Sequence, residues 1–91
     1  INDGRKYTVC GNVVSTKKHK KGHVFINLDK KFPNQVFSIS IFESNIKNFE
    51  YEPEIYLINK QVCFKGEIGE YNKTPNMVLE HSKQVKLLEN Y

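Results

Sequence analysis

The chain has 91 residues, so it can form one small domain with a compact core. Its 14 basic residues exceed its 10 acidic residues and give a formal net charge of +4 at pH 7, which favours anionic partners. No apolar run of about eighteen residues occurs, which excludes a membrane-spanning helix. We expect a single domain over residues 1–91 with its core at about 6–86. Because the chain begins at Ile1, we expect it to be a mature form or a fragment of a longer chain.

The first predicted element is a strand over Lys6–Thr16, followed by a basic loop. β-branched residues dominate KYTVCGNVVST, and its lone Gly11 predicts a bend or a bulge. The loop KKHKKGH then places four lysines and two histidines around Gly22. Such a cluster suits phosphate binding, and a merely solvated turn is the alternative interpretation.

Two alternating segments, HVFINL and VFSISIFE, predict the second and third strands. The inward set is Val24, Ile26, Leu28, Phe37, Ile39 and Ile41. Alternation then directs Phe25 and Phe42 outward, together with Asn27, Ser38 and Ser40. The segment DKKFPNQ between the two strands predicts a turn.

A short helix and two further strands follow. SNIKNFEYEPEIYLIN predicts a helix that Ser44 caps and Pro53 interrupts. QVCFKGEIGEY predicts a fourth strand that bends at Gly66. NKTPN predicts a turn, after which a short strand to Leu79 and an extended piece ending near Leu88 complete the chain.

Three strands, a short helical connection and two more strands are the element order of the OB-fold, an all-β, five-stranded Greek-key barrel. Five short motifs strengthen the resemblance: V-x-G-x-V, F-x-N-L-D, an aromatic-Pro-Asn turn, V-x-x-x-G-x-I and Y-x-x-x-P. They occur at Val9–Val13, Phe25–Asp29, Phe32–Asn34, Val62–Ile68 and Tyr71–Pro75. In these motifs the chain resembles bacterial OB-fold nucleic-acid-binding modules of the anticodon-binding type.

The resemblance implies a ligand surface across the second and third strands, flanked by the loops between strands one and two and between strands four and five. The implied nucleic-acid-binding residues are Lys17, Lys18, Lys20, Lys21, Phe25, Asn27, Ser38, Ser40, Phe42, Tyr71 and Lys73. Lysines would contact phosphates, while aromatic rings would stack on bases at about 1–3 kcal/mol each.

Simpler roles exist for the aromatic residues. The N-terminal arm or the connection before the fourth strand could cover Phe25 or Phe42, and Tyr71 could only anchor a turn. The chain has one arginine, Arg5, and no tryptophan, so the side chains that best recognise phosphate in a bidentate manner are scarce. We therefore expect non-catalytic binding of single-stranded DNA or RNA with low sequence specificity. The alternatives are a protein-interaction or structural module, or the recruiting domain of a larger nuclease or repair enzyme.

Neither a metal site nor another cofactor is expected. His19 and His23 are four residues apart with Asp29 nearby, but a loop does not align them and the adjacent lysines would repel a cation. His81 and Ser82 are neighbours on a predicted strand, where they would point to opposite faces and form no catalytic pair.

The two cysteines, Cys10 and Cys63, show no C-x-x-C spacing. Reduced, half-buried thiols are the favoured interpretation. A single cross-strand disulfide is the alternative, and it would indicate an oxidising compartment.

Overall fold

The computed structural model describes residues 4–30, 36–71 and 73–88, and these form an all-β fold. The strands are β1 (Lys6–Lys18), β2 (Val24–Leu28), β3 (Phe37–Ile41), β4 (Gln61–Tyr71), β5 (Thr74–Val78) and β6 (Val85–Leu87). The single-turn helices α1 (Glu43–Ile46) and α2 (Pro53–Tyr56) connect β3 to β4, and a 3₁₀ turn over Ser82–Gln84 precedes β6. The all-β class is thus confirmed. The predicted turn at Phe32–Asn34 lies outside the described residues.

Five strands form a closed ring because β1 pairs with β2 through one part of its length and with β4 through the other. Residues 6–12 of β1 pair with β4, whereas residues 13–18 pair with β2. The ring continues from β2 to β3, from β3 to β5 in parallel, and from β5 back to β4. β6 pairs with β4 beside the ring. Because β1 and β4 pair with each other, the sheet closes on itself, and the edges of these two strands are hydrogen-bonded instead of open.

The bulge in β1 lies at Val14, where the register with β2 shifts, and not at Gly11 as predicted. Gly11 instead leaves room for Asp29, because a Cβ there would lie 3.1 Å from the Asp29 Oδ1. That oxygen accepts the Asn12 N–H at 3.0 Å, and the Asp29 N–H donates to the Asn12 carbonyl at 2.8 Å. Asp29 therefore joins the end of β2 to the position where β1 changes partner.

The core lies inside the ring and contains all six residues of the predicted inward set, each at most 9% exposed. β4 and β5 add Val62, Phe64 and Met77, while the connection adds Phe49 and Leu57. Full burial of such side chains contributes about 1.5–3 kcal/mol each. The strand alternation in the sequence thus identified the apolar interior correctly.

Several predicted boundaries were wrong. Phe42, not Ser44, is the N-cap of α1. The helical segment is interrupted before Pro53 as predicted, but Pro53 also begins α2, because its missing N–H costs nothing at a first helical position. Three residues of the predicted NKTPN turn, Thr74 to Asn76, belong to β5, which pairs with β3 and β4. β1 extends to Lys18, so the basic loop is shorter than expected.

Cys10 and Cys63 form a disulfide, so the favoured interpretation of reduced thiols was wrong. The two residues are direct partners in the β1–β4 register, with their Cα atoms 4.0 Å apart. Their sequence separation of 53 residues carries no hint of this proximity. The pairing is a consequence of ring closure, which no local pattern reveals.

We expect that replacing both cysteines with alanine will lower the free energy of unfolding by up to about 4 kcal/mol, because the disulfide closes a loop of more than fifty residues in the unfolded chain. Urea unfolding of the variant and of the oxidised wild type would measure the difference. The wild type under a thiol reductant is the matched control, and its urea midpoint should be close to that of the variant. Equal midpoints for the oxidised wild type and the variant would contradict the prediction.

Candidate nucleic-acid interface

The outer face of β1, β2, β3 and β5 carries two rows of side chains, because directly paired residues of a sheet share a face. The first row, called the aromatic row after Phe25, consists of Lys17, Phe25, Ser40 and Val78. The polar row consists of Ser15, Asn27, Ser38 and Asn76, and Gly69 of β4 lies opposite Asn76. Five of the predicted site residues therefore share this face.

The polar row is less accessible than the alternation suggested. Asn27, Ser38 and Asn76 of this row, and the neighbouring Ser40 of the aromatic row, are between 4% and 9% exposed, whereas Ser15 is half-buried. The Asn27 amide donates to the Ser15 hydroxyl at 3.0 Å, while the Asn76 amide donates to the Ser38 and Ser40 hydroxyls at 2.8 Å and 3.0 Å. Each of these side chains therefore has at least one hydrogen-bond partner within the face, as buried polar groups require.

The basic residues divide between two sides of the sheet. Lys17 pairs with Phe25 and is exposed on the outer face. Lys18 pairs with the buried Val24, and its Nζ lies 3.7 Å from the Glu54 carboxylate. Thr16, on the same side as Lys18, donates its hydroxyl to the Glu54 carbonyl at 2.7 Å. Strand alternation thus separates Lys18 from the surface that it was predicted to serve.

Lys20 and Lys21 are exposed at the tip of a tight turn. The His19 N–H donates to the His23 carbonyl and the Gly22 N–H donates to the His19 carbonyl, both at 2.7 Å. Gly22 has φ +99°, a region that favours glycine. A short, hydrogen-bonded turn therefore places these two lysines beside Lys17, the β1 residue of the aromatic row.

His23 fastens the turn to the start of α1. Its Nδ1 accepts the Glu43 N–H at 3.0 Å, and its ring meets the Phe42 ring edge-to-face with centroids 5.5 Å apart. Phe42 nevertheless stays 43% exposed. His23 thus positions both the basic turn and Phe42, one of the three aromatic residues predicted to stack. The sequence pattern gives no reason to assign this role to His23 and not to His19.

Tyr71 and Lys73 lie at the other side of the ring. Tyr71 is 58% exposed and pairs with Thr74, while Lys73 occupies the intervening turn with φ +65°. Tyr71 is level with Thr74 of β5, whereas Phe25 is level with Val78, four residues further along that strand. At about 3.3 Å per residue, the two rings are on the order of 13 Å apart along the strands, so the structure does not bring them together as one stacking site.

A shallow concavity of about 360 Å³ lies where the polar row reaches β4. It is lined by Lys6, Glu67, Ile68, Gly69, Glu70, Asn76, Val78 and Glu80. Three carboxylates and one lysine, Lys6, line this end, whereas the β1–β2 end carries lysines. The outer face is therefore electrostatically asymmetric.

Sequence reasoning missed Ser15, Asn76 and Val78. Ser15 follows from alternation, because it lies two residues before Lys17 on the same strand. Asn76 and Val78 alternate in the same way in β5. Pro75 concealed them, because a Pro-Asn pair is typical of a turn.

The histidines do not converge on a metal site. The rings of His19 and His23 stack at 6.0 Å, but the Nδ1 of His19 accepts the Lys21 N–H at 3.2 Å. Asp29 lies at the opposite end of β2. Within residues 4–30, 36–71 and 73–88, no group of three or more potential ligands could hold a metal ion.

The pair His81 and Ser82 lies at the 3₁₀ turn and not on a strand as predicted. The Ser82 hydroxyl is 3.4 Å from the His81 Nδ1, which already accepts the Lys83 N–H at 3.1 Å. The histidine therefore caps the turn.

Neither a protein-family model nor a curated protein matches this chain. None of the helices in the described parts of the chain is long and apolar enough to cross a membrane.

We expect His23→Ala to accelerate hydrogen exchange at the Glu43 amide severalfold, because the variant removes the acceptor of that N–H. A lost hydrogen bond of this kind costs about 1 kcal/mol. NMR-detected exchange would measure the change.

His81→Ala is the matched control, since it removes the same kind of hydrogen bond from the 3₁₀ turn. It should leave the Glu43 amide unchanged. If Glu43 exchanges at the wild-type rate in His23→Ala, the fastening role of His23 is wrong.

Proposed function

We propose that this chain is an OB-type domain that binds single-stranded DNA or RNA with low sequence specificity and without catalysis. One observation carries the proposal. Lys17 and Phe25 are direct partners on the outer face, next to the turn that presents Lys20 and Lys21.

The OB-type assignment is supported by the connectivity. Three strands, a helical connection and two strands form a ring in which β1 contacts both β2 and β4. The connection between β3 and β4 adds apolar residues to the core and contains both short helices. In OB-folds, the face of strands two and three and the adjacent loops bind oligonucleotides.

The side chains on this face suit a single strand. Exposed lysines attract phosphates from a distance, and Phe25 and Phe42 offer flat rings near them. Lysine carries a compact charge without the fork geometry of arginine, so the binding should be sensitive to salt and tolerant of sequence. A duplex would present no unstacked bases to these rings.

A protein-interaction role is the second candidate, and the surface of α2 favours it. Ile55 is 61% exposed beside Tyr56, whose ring lies 4.6 Å from that of Tyr51. Burial, and then the nearby Tyr56 and Glu50, raise the pKa of Tyr51. Exposed apolar side chains in an acidic segment are typical of a surface that meets a protein.

We expect wild-type protein to bind fluorescent single-stranded oligonucleotides and to lose affinity between about 50 mM and 200 mM salt. Lys17→Ala should reduce the slope of log affinity against log salt by about 0.7, the value for one phosphate contact on a single strand. Fluorescence anisotropy at several salt concentrations would give both quantities.

Lys18→Ala is the matched control, because Lys18 lies on the opposite side and pairs with Glu54. Its salt slope should remain close to that of the wild type. Absence of binding at the lowest salt concentration would refute the proposal. Equal slopes for the two lysine variants would refute the assignment of the outer face.

A further inference from the structure

The polar row has fixed hydrogen-bonding directions. The Asn76 side-chain amide lies 3.2 Å from the Ser38 carbonyl, which can only accept. The group that faces Ser38 must therefore be the NH₂ group, and the same group donates to the hydroxyls of Ser38 and Ser40. The arrangement determines which way the amide points.

This orientation leaves the row with groups that can bind a ligand. A serine hydroxyl that accepts a hydrogen bond still carries its own hydrogen, which it can donate, and an asparagine amide oxygen can only accept. Ser38 and Ser40 accept from Asn76, and Ser15 accepts from Asn27. Hydroxyl donors and amide-oxygen acceptors therefore alternate along the polar row. The hydrogen bonds between neighbouring side chains fix the positions of these groups.

Fixed groups of this kind discriminate better than flexible ones. The buried side chains lose little further conformational freedom when a ligand binds, so less of the binding energy is spent on ordering them. A ligand edge that fails to match leaves a polar group unpaired, which costs affinity. Long, flexible lysines provide no such selection.

The charges around the row determine how a strand can lie on it. Lys17, Lys20 and Lys21 attract phosphates at one end, whereas Glu67, Glu70 and Glu80 outnumber Lys6 at the other end and make it net negative. Gly69 places no side chain opposite Asn76, so the shallow concavity is open at this point. A strand whose backbone follows the lysines therefore extends its bases across β3 and β5.

We propose that the polar row, and Asn76 in particular, reads the edge of a base and gives the domain a modest base preference, while the lysines supply affinity. The ligand class is thus single-stranded nucleic acid bound with its bases against the sheet. This inference rests on the function proposed above. It adds β5 to the binding surface and makes Asn76 a specificity-determining residue.

The test compares binding of oligodeoxyadenylate, oligodeoxycytidylate and oligodeoxythymidylate of equal length at one salt concentration. We expect wild-type affinities to differ about fivefold or more between the best and the poorest base, as one matched polar contact allows. Asn76→Ala should bring the three affinities within about twofold of one another. It should leave the salt slope unchanged, because no phosphate contact is lost.

Asn48→Ala is the matched control. Asn48 also donates its amide to a backbone carbonyl, that of Glu80 at 2.8 Å, but it lies in the connection after α1. It should retain the wild-type base preference. Ser15→Ala tests the other end of the row and should also reduce the base preference. It provides the test if thermal melting shows that Asn76→Ala does not fold.

The outcomes separate the two proposals. Wild type that binds none of the three strands at low salt refutes the proposed function and this inference with it. Salt-dependent binding with equal affinities for all three bases refutes the inference alone. The same holds if folded Asn76→Ala or Ser15→Ala keeps the full wild-type preference.

Discussion

The double pairing of β1 is the constraint on which the rest of the structure depends. A straight strand of 13 residues would be roughly 43 Å long, which exceeds the molecule's longest extent of 35 Å. β1 therefore bends where it changes from β4 to β2, and Asp29 holds that bend through its two hydrogen bonds to Asn12. The Cys10–Cys63 disulfide stabilises the same closure from the β4 side.

Closure of the ring also decides which charges act together. Along the chain, basic and acidic residues occupy separate segments, but the fold brings them into contact. Lys18 lies on the opposite side of the sheet from Lys17 and beside Glu54, and the Glu43 side chain packs against Gly22 of the basic turn. What remains is a smaller positive group, with Lys17 on the outer face and Lys20 and Lys21 in the turn beside it. The proposed affinity for phosphate depends on this group and not on the net charge.

Much of the fold could be predicted from the sequence because alternation is a local property. The inward residues of β2 and β3 follow from a period of two, and so do the outward Phe25 and Asn27. The candidate site was predicted less completely. Asn76 was not among the predicted residues because Pro75 indicated a turn. The side of the sheet on which Lys18 lies could not be predicted, because the end of β1 could not be located without its partner strand.

By itself, the sequence determined the all-β class, the apolar interior and the concentration of lysines around Gly22, since each depends on residues close together in the chain. Only the tertiary structure decided the disulfide, the pairing of Lys18 with Glu54, the fastening of the turn by His23 and the alignment of Asn76 with Ser38. These contacts join residues 20 to 53 positions apart. Their geometry follows from strand order and register, which are properties of the closed ring as a whole.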